Sequence, residues 1–131
     1  VKAQARPCKN CPWRLDATPG EFPIERYRQL ASTAEDMSRV IFQCHKTSDE
    51  EPVACAGFLA RGSLHNLSVR MAMISGQLDP RGRDGGLDLH PNYRSMAVAQ
   101  GIPADDPSLA RVRDDTAWEP LVELDMEDES P

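Results

Sequence analysis

Four cysteines carry the clearest chemistry in this sequence, and all of them fall within the first 55 of its 131 residues. They are Cys8 and Cys11 in Cys8-Lys9-Asn10-Cys11-Pro12-Trp13-Arg14, Cys44 in Cys44-His45-Lys46, and Cys55 in Cys55-Ala56-Gly57-Phe58-Leu59. A turn with two residues between its cysteines aims both sulfurs the same way, so one ion or cluster can take them together. Pro12 stiffens that turn and removes one N–H; the remaining N–H groups are free to bond the sulfurs and spread their charge. A single cysteine would read as a small buried hydrophobe. Four crowded into one half of a chain, with none after, read as ligands, and Cys8, Cys11, Cys44 and Cys55 are the expected metal set.

The spacing bears on which metal. Structural zinc favours two close pairs, whereas here thirty-two residues separate Cys11 from Cys44 and ten separate Cys44 from Cys55. A 4Fe-4S cubane also takes four thiolates and is wider, so its ligands can arrive from separated segments. One close pair followed by two dispersed cysteines resembles the arrangement in high-potential iron proteins and in iron–sulfur uracil-DNA glycosylases. A 4Fe-4S cluster is therefore expected, with a zinc ion as the alternative. Trp13, Arg14, His45 and Lys46 are expected around it. Trp13 would exclude water, Arg14 and Lys46 would offset thiolate charge unless they are plain surface charges, and His45 would lie beside the ligands rather than among them. His65 and His90 read as ordinary polar residues.

A four-thiolate centre has no open coordination position. No Ser-His-Asp set or His-Glu-x-x-His motif appears, and Gly82 to Gly86 lacks the strand-to-helix setting of a phosphate loop. No catalytic residue is assigned. The expected function is a non-catalytic iron–sulfur or metal-binding regulatory or interaction protein that binds a macromolecular partner, most naturally a protein. The acids Glu123, Asp125, Glu127, Asp128 and Glu129 would suit a basic partner such as a polymerase or nuclease, or merely solubilise the chain. Two alternatives remain. One is a zinc-stapled nucleic-acid-binding protein using Arg61, Arg70, Arg81, Arg83 and Arg94, against which stands a net charge of −6. The other is a redox-sensing or electron-transfer iron–sulfur protein.

The run Pro7-Cys8-x-x-Cys11-Pro12-Trp13-Arg14, with Cys44-His45-Lys46 and Cys55-Ala56-Gly57-Phe58-Leu59, resembles a family of small four-cysteine proteins of unknown function. Those proteins are encoded mostly by GC-rich bacteria and their phages. The resemblance covers about the first half and implies a cytoplasmic metal- or cluster-binding domain, with no activity attached. The WhiB-like iron–sulfur regulators share the cysteine count, but their close pair lies in the middle. Their Gly-Trp turn and basic tail are missing here.

The elements that must position these residues follow from pattern and turn chemistry. The expected fold is an α-rich small single domain with irregular loops and a short strand, built around the four-cysteine centre. A core domain over 1–118 would be followed by an acidic, frayed tail over 119–131. Large core side chains are scarce, with two Trp, two Tyr and three Phe, so a staple would help a domain this small. Residues 1–7 read as a flexible arm. Pro23 opens a helix whose inner face carries Ile24, Tyr27, Leu30 and Ala31 and which ends near Ser32-Thr33. Val40-Ile41-Phe42 reads as a buried strand delivering Cys44, and the segment after Cys55 as a helix. Leu64, Leu67, Met71, Ile74 and Leu78 mark an amphipathic helix over about 63–78. Residues 79–92 form a loop, Tyr93 to Gln100 a helix closed by Gly101, and Asp106-Pro107 a helical start. With no secretory signal and no apolar run of membrane-spanning length, the expected compartment is the reducing cytoplasm.

Overall fold

Every element among the described residues is short, so side-chain caps and loop contacts carry much of the architecture. The structure, a computed structural model, describes residues 2–44, 53–115 and 118. Its elements are β1 (Lys2–Ala3), α1 (Ile24–Leu30), β2 (Val53–Ala54), α2 (Ala56–Arg61), α3 (Leu67–Ile74) and α4 (Tyr93–Ala99), with 3-10 turns at Ala31–Ala34 and Pro107–Leu109. Together they form one small domain of four helices and a two-stranded sheet. His45, Lys46 and the acidic tail lie outside the described residues.

The N-terminal arm departs from expectation. Lys2 and Ala3 pair in parallel with Val53 and Ala54, and Gln4 N–H continues the ladder to Ala54 C=O. The chain entering Cys55 has backbone groups that need partners once buried, and the arm supplies them. Conversely, Val40-Ile41-Phe42 forms no strand. Pairing is limited to a single antiparallel bridge, Gln43 to Ala54, flanked by Cys44 N–H to Val53 C=O and Cys55 N–H to Phe42 C=O. Val40 is exposed while Phe42 is buried. Those few bonds still deliver Cys44 beside Cys55's strand.

Pro23 precedes α1, where its missing N–H is no loss. Past Leu30 the helix tightens to 3-10, and Thr33 Oγ1 donates back to Leu30 C=O at 2.6 Å, a side-chain bond that competes with the regular ladder. α2 is apolar all round, with Ala56 to Ala60 all buried, as befits a central helix. α3 is shorter than its apolar stripe suggests. Asn66 starts it, accepting from Val69 N–H, and Val69 is its only fully buried residue. Met71 and Ile74 are 60% and 86% exposed. The stripe of threes and fours is real, but the core meets a different face. α4 lies where expected and is followed by Gly101 at φ 111°, open to a residue without Cβ; Asn92, expected only as the end of a loop, caps its start by accepting from Ser95 N–H. Asp106 caps the Pro107–Leu109 turn through Ser108 N–H, and Leu109 and Val112 turn inward.

The core is an aromatic cluster around Trp13, which is fully buried. Its indole meets Phe42 edge-on at 6.0 Å and Tyr93 at 5.8 Å, and Phe42 stacks on Phe58 at 6.0 Å. Such offset and edge geometries suit the ring quadrupoles. Among the described residues no helix is long and apolar enough to cross a membrane.

Candidate metal centre

The Cys-x-x-Cys knuckle is a hydrogen-bonded turn: Cys11 N–H donates to Cys8 C=O at 3.2 Å, and Arg14 N–H to Cys11 C=O at 3.2 Å. It is held over α2 by the indole of Trp13, which lies so close that a Cβ on Gly57 would stand 2.5 Å from Trp13 Cβ. Only glycine permits that approach. The contact brings Cys11 to Cys55, the residue just before α2. Their sulfurs are 3.6 Å apart across forty-four residues of sequence. Both are buried, and none of the four cysteines is in a disulfide.

The electrostatics of this pair are asymmetric. Cys11 is pulled below an ordinary thiol pKa, chiefly by the Cys55 thiol and then by the backbone N–H groups of Trp13 and Gly57, with burial opposing. Cys55 is pushed well above it, by sharing its proton with Cys11 and by burial. Of the two, Cys11 gives up its proton the more readily, and backbone donors converge on both sulfurs. This is the knuckle geometry that stabilises metal-bound thiolates.

Cys44 joins through a residue that the sequence did not single out. Gln4 Nε2 donates to Cys44 Sγ at 3.0 Å, and Gln4 Oε1 accepts from Ala56 N–H at 3.1 Å. Cys44 is thereby tied to the start of the helix that follows Cys55. Cys8 sits one turn before Cys11 and is partly exposed. Among the described residues no three Cys, His, Asp or Glu side chains are grouped so as to hold an ion. Two of the four sulfurs are therefore in contact, and the other two are linked to them through hydrogen-bonded neighbours.

The expected surroundings divide. Trp13 is fully buried beside the knuckle. Arg14 grips Asp16 with two bonds of 2.8 Å and reaches Cys8 C=O at 3.5 Å; its charge adds a smaller pull on Cys11. His65 lies against Asp36 and Asp115, and His90 bonds Ser95 Oγ at 2.9 Å. Two buried donors near the knuckle have no partner among the described residues: the Trp13 indole N–H and the Tyr27 hydroxyl. Tyr27 feels the Cys11 charge, and burial with that charge pushes its pKa up to about 12.

The five arginines named as a basic face are all engaged within the chain. Arg61 pairs with Asp84, Arg81 with Asp79 and Arg94 with Asp114. Arg70 bonds Leu64 C=O, and Arg83 bonds the carbonyls of Asp79 and Gln4.

A family model matches residues 3–113, a span that takes in the arm, all four cysteines and the helices that hold them. The chain belongs to DUF6283, a family of unknown function. No curated protein and no solved structure matches it. The DUF6283 match spans residues 3–113 and attaches no activity to them.

Proposed function

We propose that this DUF6283 protein is a non-catalytic metal–thiolate protein. Cys8, Cys11, Cys44 and Cys55 hold one metal centre that staples the fold, and the domain acts by binding a macromolecular partner. The carrying observation is the Cys11–Cys55 sulfur pair at 3.6 Å, delivered from distant segments and supplied with backbone N–H donors. The separation speaks to the metal as well. A tetrahedral ion with Zn–S bonds of about 2.3 Å has sulfurs about 3.8 Å apart along each edge. A pair this close supports a single ion such as zinc. In a cubane each thiolate binds its own iron, so the two sulfurs would have to part. The 4Fe-4S reading is kept alive by the dispersed cysteines and by the unpartnered donors of Trp13 and Tyr27, since hydrogen bonds to sulfur tune such clusters.

A closed four-thiolate site cross-links the chain and offers no position for substrate. The function then lies on the surface, and the negative net charge favours a protein partner over nucleic-acid backbone. Phosphates would also have to displace the acceptors that already hold the five arginines. Trp13 and Arg14, with His45 and Lys46 next to Cys44 in sequence, are assigned to the surroundings of the centre.

The test is anaerobic purification with elemental and sulfide analysis. One zinc per chain without sulfide supports the single ion. Equal iron and sulfide with visible absorption transfers the reading to the cluster. Metal-free protein that stays folded and refuses both overturns it.

A further inference from the structure

We propose that Gln4 is a positioning residue for the metal centre, its carboxamide holding the Cys44 sulfur in place and supplying it with a hydrogen bond. The proposal rests on the four-thiolate reading above and adds to it a residue outside the cysteine motifs.

Gln4 has every polar group engaged. Its backbone N–H donates to Ala54 C=O at 3.1 Å, and its C=O accepts from Arg83 Nη1. Its side-chain oxygen accepts from Ala56 N–H at 3.1 Å. These three bonds fix the residue independently of the fourth, from Nε2 to Cys44 Sγ at 3.0 Å. The amide is therefore aimed at the sulfur before any ion arrives, so little of its rotamer freedom is left to lose on binding. An N–H directed at sulfur favours the charged thiolate and disperses its charge, the two properties a ligand needs. Because the oxygen of the same carboxamide holds Ala56, the residue after Cys55, one side chain sets the position of Cys44 relative to Cys55.

Gln4→Glu separates the two roles. A carboxylate keeps the acceptor for Ala56 N–H, has no donor for the sulfur, and adds a negative charge beside it. The reduced apo protein is titrated anaerobically with Co(II), whose sulfur-to-metal charge-transfer band reports thiolate coordination. Gln4→Glu is expected to weaken Co(II) binding by roughly ten- to hundredfold, the usual effect of removing an outer-shell partner, and to shift that band. Equal affinity and an unchanged spectrum would overturn the proposal while leaving the metal reading intact. Wild type that takes up no Co(II) overturns both this role and the single-ion reading. Should the variant fail to fold, zinc titration of wild type with 15N-labelled glutamine decides: the Gln4 side-chain amide signal must move as the ion binds, and a stationary signal refutes the role.

Discussion

A proton shared between Cys11 and Cys55 has to leave when an ion takes their place. Cys55 holds its proton above the ordinary thiol range, while Cys11 gives its proton up more readily than an ordinary thiol. Uptake of metal by four thiolates would therefore displace thiol protons, that of Cys55 among them, and affinity must rise with pH and fall as pH drops. Competition titrations across neutral pH are expected to show roughly a tenfold change per pH unit for each proton displaced. Gly57 gives a second prediction at this scale. A Cβ there would meet Trp13 Cβ at 2.5 Å and Cγ at 2.7 Å, both close to rigid backbone. Gly57→Ala should destabilise by about 1–3 kcal/mol, the cost of an overpacked core, and chemical denaturation reads it directly. Type and spacing singled out the four cysteines, of which the fold brings Cys11 and Cys55 into contact beside the buried Trp13. Gln4 was not singled out, because an isolated Gln announces nothing until the fold sets it against a sulfur.

Among the elements, α3 shows where periodicity misleads. Its apolar residues recur at helical spacing, yet the helix buries Val69 and leaves Met71 and Ile74 outside. Val69→Ala should lower stability by about 2 kcal/mol through lost apolar burial, whereas Ile74→Lys should change it by less than about 0.5 kcal/mol. Thermal melts of the two variants test which face packs. Caps read more reliably than faces. Gly101 and Asp106 act as their types suggest, because a cap is a local bond between near neighbours. The strand expected over 40–42 and the arm expected over 1–7 failed for the opposite reason. Each depends on a partner some distance along the chain: Gln43 finds Ala54, and Lys2 and Ala3 find Val53 and Ala54.

For the whole molecule, an ion that binds only the folded form adds to stability by mass action, about 4 kcal/mol at a thousandfold excess over its dissociation constant. Chelation of the purified protein is expected to lower its melting temperature by roughly ten degrees or more, and returning zinc should restore it. A melt indifferent to chelator would mean that the aromatic cluster around Trp13 suffices alone. The parallel pairing of β1 with β2 carries a further consequence for how the protein is made. Lys2 and Ala3 leave the ribosome about fifty residues before the strand they pair with, and Cys8 and Cys11 emerge with them. The site cannot close until residue 57 is out. Contacts this distant in sequence slow folding, so Cys8 and Cys11 must wait for the segment that carries Cys55 before the pair of sulfurs can meet.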